Sequence, residues 1–356
     1  MRSITNTFYD LTVSTIVKET TESVTAFFRL PKLLVNDFQW QPGQYVKVEI
    51  CLNGVTYLRN YSISAPKNAN ELSITIKRLP GGLVSTYLTT QLKLGDVIRM
   101  TCPIGNFTLT PKSNNAKSYV FVCAGSGITP IFSMISSVLA EEESSCVYLL
   151  YGNRNAKSSI FRKALLHLQQ KYNDKIVVCH CYSTPTWFGV FSTGRKGRIN
   201  AETIKHFLTM NAVALQSAEY YVCGPGSFIP MVKTTLNLLD IKECNIHVET
   251  FGAKEKLLIS QKKHEVVKLT VQLTGKTHQV VTNESEYLLS SLKRSSISAP
   301  YSCENGTCGT CKCQLLAGEV EMEENYYLTQ QEVQQGFILA CQSIPKTDEV
   351  AISFPD

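Results

Sequence analysis

From the N-terminus to about residue 110, apolar and polar positions alternate in short runs. LTVSTIVKET, TAFFRLP, QYVKVEI, YLRNYSIS and ELSITIKRL are rich in β-branched residues and separated by Gly, Pro and Asn. That period-two pattern predicts strands, and several short strands in succession predict a small barrel or sandwich. CPIGNFTL (Cys102–Leu109) reads as the turn into its last strand. From about Lys117 the pattern changes. Compact apolar runs (SYVFVCA, CVYLLYG, KIVVCHCYS, AEYYVCG, NIHVETF) alternate with segments of helical period (TPIFSMISSVLAEE, SIFRKALLHLQQKY, AETIKHFL, FIPMVKTTLNLL). Strands alternating with helices predict a parallel, doubly wound α/β sheet. A polar, lysine-rich stretch, GAKEKLLISQKKH, then leads into a β-rich C-terminal module. The expected division is a β-barrel over 1–112, an α/β domain over 113–252, a linker over 253–264 and a third module over 265–356.

The composition, 44% hydrophobic and 18% charged, is that of an ordinary globular chain. No stretch of about 18 uninterrupted apolar residues suggests a membrane span, and the start, MRSITNTFYDLTV, does not resemble a signal peptide. A cytoplasmic protein with reduced thiols is expected. The net charge of +6 conceals an asymmetry: from Glu265 onward there are 12 acidic and 6 basic residues, while the preceding part carries 29 basic and 17 acidic. No basic run interleaved with aromatics accompanies the basic body, so nucleic acid is not an expected partner. An acidic module that docks on its own basic body or on a protein partner fits the asymmetry.

The 13 cysteines, an odd number, argue against a closed disulfide framework. Most are scattered through apolar runs as small hydrophobes. Four crowd into YSCENGTCGTCKC (Tyr301–Cys313). Cys303, Cys308 and Cys311 have C-x4-C-x2-C spacing, and Cys341 follows in FILACQS. That is the plant-type [2Fe–2S] ligand pattern. Four thiolates must converge on two irons, and Gly306 and Gly309 let backbone N–H groups turn toward the sulfurs. Cys313 follows Cys311 at strand spacing and is not expected to be a ligand. Structural zinc favours paired C-x2-C or histidine ligands, and only His278 lies in this module. The stretch closely resembles chloroplast-type ferredoxins over about Val266 to Pro355, including LLAGEVEM, and the resemblance implies a β-grasp fold.

Upstream, RNYSISAP (Arg59–Pro66) resembles the flavin signature R-x-Y-S of the ferredoxin–NADP reductase family. The resemblance implies that Arg59 pairs with a flavin phosphate, Tyr61 lies on the isoalloxazine ring and Ser62 bonds near its reactive nitrogen. A guanidinium fork, a flat ring and a small hydroxyl suit those tasks. PGGLVSTYL (Pro80–Leu88) resembles the second flavin loop of the family. Gly81 and Gly82 admit close backbone approach, and a helix starting near Ser85 presents an anion-binding N-terminus. CAGSGITPIFSMI (Cys123–Ile135) is a strand, glycine turn and helix. Gly125 and Gly127 sit where a dinucleotide pyrophosphate meets a helix, and Thr129–Pro130 complete the family's G-x-G-x-x-P. VCGPGSF resembles its C-G-P loop, with Cys223, Gly224 and Pro225 beside the nicotinamide ring. HVETF offers Glu249 and Phe251 as flavin-lining candidates. An acid after the second α/β strand would hold an NAD ribose, whereas a base suits the NADP phosphate. YGNRN supplies Arg154 and no acid, which favours NADPH; Lys157 and Arg162 are either helpers or solvated helix charges.

The resemblance spans nearly the whole chain and implies a three-module reductase. Electrons pass from NAD(P)H to FAD, then to [2Fe–2S], then to a partner oxygenase, the organic chemistry belonging to the cofactors. The ferredoxin-last order is most similar to the reductase components of phenylacetyl-CoA epoxidase systems, which would place the chain in phenylacetate catabolism. Reductases serving Rieske-type steroid 9α-hydroxylases share that order. A non-catalytic iron–sulfur sensor or carrier with a disused reductase shell is the alternative of a different class, against which the intact motifs argue.

Overall fold

The computed structural model describes residues 7–52, 54–184, 195–225, 228–251, 266–284, 286–301, 306, 309–323, 325 and 327–355. The stretch 253–264, Cys303 and Cys308, and the side chain of Phe251 lie outside what is described. The chain divides into two compact units, Met1–Thr250 and Phe251–Asp356.

The first unit opens with six antiparallel strands: β1 (Phe8–Thr20), β2 (Ser23–Arg29), β3 (Tyr45–Leu52), β4 (Val55–Ser62), β5 (Leu72–Lys77) and β6 (Val97–Thr101). Their order is β4-β3-β6-β1-β2-β5. The sheet curls until its edges meet: Ile63 bridges Ile74, and the Ser64 N–H donates to the Ser73 carbonyl, 2.8 Å. Leu11, Phe28, Val46, Val48, Ile74 and Met100 fill the interior. Alternation understates the burial of β5, because its polar positions are covered too. Their hydroxyls are satisfied laterally, Thr75 bonding to Thr25 at 2.8 Å and Ser64 at 3.0 Å, as buried polar groups require.

Cys102–Leu109 does not lead into a further strand of the barrel. Pro103 has no N–H to give a ladder, and beyond a single bridge between Ile104 and Tyr45 the segment leaves the sheet. Phe107 instead meets the Tyr221 ring edge-on, with centroids 5.8 Å apart. The apolar residues there join barrel to α/β domain.

That domain contains β7 (Ser118–Ala124), β8 (Cys146–Asn153), β9 (Ile176–Tyr182), β10 (Arg195–Lys196), β11 (Glu219–Pro225) and β12 (Ile246–Phe251) in the order β10-β9-β8-β7-β11-β12. Pairing is parallel from β10 through β11. The helices are α1 (Leu83–Thr90), which follows barrel strand β5, and α2 (Ile128–Glu141), α3 (Arg162–Lys171), α4 (Ala201–Met210) and α5 (Phe228–Asn237). Strand order reverses at β7, which opens a crevice beyond the carboxyl ends of β7 and β11.

The second unit is a five-stranded mixed sheet in the order β14-β13-β19-β15-β17. Its strands are β13 (Val266–Leu273), β14 (Lys276–Asn283), β15 (Lys312–Ala317), β17 (Phe337–Leu339) and β19 (Glu349–Ser353), with a small ribbon of β16 (Val320–Met322) and β18 (Ser343–Pro345). Helix α6 (Leu288–Arg294) buries Leu288, Leu289 and Leu292 against Val267, Leu269 and Val271. A short α7 (Gln330–Gln334) is closed by a capping box between Thr329 and Glu332. A parallel β13–β19 pair at the sheet centre with one helix across it is the β-grasp arrangement expected.

Candidate functional site

Arg59 and Tyr61 lie two residues apart on β4, so they share a face of the barrel wall. Arg59 Nη1 donates to the Leu58 carbonyl at 2.7 Å, and its guanidinium sits 5.8 Å from the Tyr57 ring centroid. Burial pushes the Tyr61 hydroxyl above its ordinary range, and the Arg59 charge opposes that. Ser62 closes the strand and is buried. The chain just beyond is clamped to α2. Ser133 Oγ donates to the Ala65 carbonyl, and the Lys67 N–H donates to Ser137 Oγ at 2.8 Å. The barrel motif and the helix that follows the glycine turn are thus held as one piece.

Gly81 has φ +73° and Gly82 stands as the N-cap of α1, which has no side-chain cap. Ser85 is spent on the loop itself: its hydroxyl accepts from the Leu79 N–H, 3.1 Å, and donates to the Gly82 carbonyl, 3.2 Å. Helix α2 likewise begins at a glycine without a side-chain cap, unlike α4, capped by Asn200. The uncapped start of α1 suits a phosphate, whereas at α2 the Ile128 N–H is already bonded to the Gly125 and Ser126 carbonyls. Gly125 (φ +56°) makes the turn, and the Tyr151 hydroxyl holds its carbonyl at 3.0 Å. Thr129 donates to the Ser126 carbonyl, 3.0 Å, and Pro130 sits in the first turn. A Cβ on Gly127 would lie 2.2 Å from the Cys223 carbonyl oxygen and 2.9 Å from the Gly224 nitrogen. Only glycine allows the turn after β7 to touch the C-G-P segment that ends β11. Pro225 ends β11 on the exposed side of that segment.

Cys123 and Cys223 are register partners on β7 and β11, both fully buried. Burial, and secondarily Glu249, push the Cys223 thiol well up. Burial raises the Glu249 carboxyl to about 8. Its Oε2 is enclosed and has no hydrogen-bond partner among the described residues. Enclosure without a hydrogen-bond partner favours the neutral acid over the carboxylate. Phe251 closes β12.

Two groups that the sequence did not single out converge here. Lys77, at the end of β5, brings its ammonium within 3.6 Å of where a Gly125 Cβ would stand. Its pKa is lowered by burial and by Arg154, with Glu22 opposing. Arg154 Nη2 lies 3.0 Å from Glu22 Oε2. Lys77 had no local signal beyond a lysine ending a strand, and Glu22 none beyond a polar turn.

In the second unit Cys311 and Cys341 are buried and adjacent, for the Ala340 N–H donates to the Cys311 carbonyl at 3.1 Å. Gly306 (φ +79°) and Gly309 (φ +65°) adopt the left-handed conformation expected of the loop. The Gln342 amide donates to Cys341 Sγ, 3.8 Å. Cys313 is fully buried on β15, opposite Ile338, and burial pushes its thiol up.

Three domain families match in this order: the oxidoreductase FAD-binding domain over residues 10–109, the oxidoreductase NAD-binding domain over 121–234 and the 2Fe-2S iron-sulfur cluster binding domain over 271–346. A component of the 1,2-phenylacetyl-CoA epoxidase of Escherichia coli K12 is 32% identical over 352 residues, covering 98% of each chain. This chain belongs to the ferredoxin–NADP reductase-like reductases of oxygenase systems. The ferredoxin reductase component of the 3-ketosteroid-9-alpha-monooxygenase of Mycobacterium tuberculosis is 31% identical over 366 residues, covering 98% of this chain and 96% of its own. The solved structure of phthalate dioxygenase reductase shares the fold, with TM-score 0.61 and 22% identity over 98% of both chains. Like the reductases of its family, the chain is an electron-transfer oxidoreductase with FAD, nicotinamide and [2Fe–2S] cofactors. Among the described residues no helix is long and apolar enough to cross a membrane.

Proposed function

We propose that the chain is the cytoplasmic reductase component of a phenylacetyl-CoA 1,2-epoxidase, using NADPH. Identity running through 98% of both chains with the component of the Escherichia coli epoxidase carries the reading. The similarity to 3-ketosteroid-9-alpha-monooxygenase reductase keeps a Rieske-type oxygenase as the second reading. The domains run over 1–112, 113–252 and 265–356, with 253–264 as the linker.

When bound, the flavin takes a hydride and releases single electrons, and the cluster carries them onward. The residues bind and orient. Arg59 holds a flavin phosphate, Tyr61 supplies the ring face and Ser62 a hydroxyl near the flavin nitrogen. Gly81 and Gly82 with the start of α1 take the flavin pyrophosphate. Ser85 acts through the loop it braces, as Thr129 and Pro130 do at Gly125 and Gly127. Lys77 adds a cation over that second turn, and Arg154 meets the 2′-phosphate. Cys223, Gly224 and Pro225 border the nicotinamide, Glu249 holds a proton beside it and Phe251 lines the flavin edge. Cys303, Cys308, Cys311 and Cys341 ligate the cluster. The orphaned Glu249 oxygen, the Gly127 approach and the uncapped start of α1 support this fit.

Reconstitution tests the partner. With the oxygenase component of a phenylacetyl-CoA epoxidase, the protein should support NADPH-dependent epoxide formation. Turnover only with a Rieske-type 3-ketosteroid hydroxylase would overturn the assignment.

A further inference from the structure

The strand after which a nucleotide-selecting acid is normally sought, β8, is followed by Arg154 and no acid, yet the fold brings a carboxylate to that arginine from the barrel. Glu22 sits in the turn between β1 and β2, 132 positions away in sequence. Its backbone is fixed on both sides. The Glu22 N–H donates to Thr20 Oγ1 at 3.1 Å, and the Glu22 carbonyl accepts from the Arg78 N–H at 2.7 Å. The Arg154 backbone is fixed as well, its carbonyl accepting from the Thr184 N–H at 2.8 Å. The two side chains close the remaining gap with the 3.0 Å contact, and they stay 65% (Arg154) and 37% (Glu22) exposed, so a ligand can reach and separate them.

We propose that Glu22 is a nucleotide-selecting residue that acts against the 2′-phosphate. This rests on the reading that the adenosine ribose binds at Arg154. A 2′-phosphate carries close to two negative charges. To reach Arg154 it must displace the Glu22 carboxylate, a like charge that remains nearby. A 2′-hydroxyl has the opposite relation to Glu22, because it can donate a hydrogen bond to the carboxylate. The acid that recognises a 2′-hydroxyl and the base that accommodates a 2′-phosphate are here one ion pair, each half supplied by a different module. Lys77 contributes a further cation on the same side, and its charge is felt by both members of the pair. Glu22 therefore moderates a preference that Arg154 and Lys77 create.

The test compares Glu22→Gln, Arg154→Ala and the unaltered full-length protein. The readouts are kcat/KM for NADPH and NADH with ferricyanide as acceptor, and the dissociation constants of 2′-phospho-AMP and AMP followed by the flavin spectrum. Glu22→Gln should raise the NADPH/NADH ratio roughly three- to tenfold, the scale of one partly screened charge contact, and tighten 2′-phospho-AMP relative to AMP by a similar factor. Arg154→Ala should lower both. If Arg154→Ala lowers the ratio but Glu22→Gln leaves it unchanged or lowers it, the role of Glu22 is wrong and the nucleotide site stands. If neither variant shifts either readout, the ribose does not bind at Arg154, and both readings fall.

Discussion

Replacing Gly127 by alanine probes the contact on which the nicotinamide site depends. The added methyl would stand 2.2 Å from the Cys223 carbonyl oxygen, 2.6 Å from its carbon and 2.9 Å from the Gly224 nitrogen. Comfortable carbon contacts lie at about 3.5 Å or more, so the overlap exceeds about 1 Å. All three atoms are backbone at the end of β11, which pairs with β7 through Cys223↔Cys123, so no rotamer change relieves the clash. Either the C-G-P loop or the start of α2 must shift by about 1 Å. Overpacking of this kind costs about 1–3 kcal/mol, which in a domain of this size lowers Tm by roughly 2–10 °C. The functional loss should be larger, because about 1 Å of misplacement at a reacting centre costs about a hundredfold. The assay is NADPH oxidation with ferricyanide, beside flavin content, the visible spectrum of the cluster and a melting curve. We expect kcat/KM to fall between about tenfold and a hundredfold, with FAD and cluster retained, since Arg59, Gly82 and Cys341 are untouched. Unaltered kcat/KM and Tm in Gly127→Ala would refute the claim that the two loops must touch.

Glu249→Gln tests the buried carboxyl. Its folded-state pKa is raised, so the stability it contributes is complete below the ordinary carboxyl value of about 4.3 and is lost as pH rises through about 8. Melting curves of the unaltered protein should fall across that window in a way the Gln variant does not, and kcat of the unaltered protein should break near pH 8 where that of the Gln variant does not; identical pH profiles in the two proteins would end this account. Cys341→Ser should lose its iron and its visible cluster spectrum, whereas Cys313→Ala should keep both, because Cys313 lies in the apolar core under β15. Iron analysis decides the pair, and a normal cluster in the Cys341 variant would sink the ligand assignment.

The motifs were legible because their requirements are local. A C-x4-C-x2-C loop, a G-x-G turn before a helix and alternation in β4 each constrain neighbours in sequence through backbone conformation and side-chain period. The order of the three modules followed from where those patterns change. The fate of Cys102–Leu109 did not, since a run of alternating residues does not say whether its partner is another strand or, as here, the Tyr221 ring of the next domain. Nor did the polar residues of β5 announce that they would be buried, because their hydroxyl partners Thr25 and Ser64 stand on other segments. The same holds at the nucleotide site. Sequence placed Arg154 after β8 and found no acid beside it, but the fold supplies Glu22 from the first hairpin and Lys77 from β5. Charge recognition acts across a few ångströms of space whatever the separation along the chain. Which opposite charges meet was therefore settled by the docking of barrel on sheet, and only the tertiary structure could decide it.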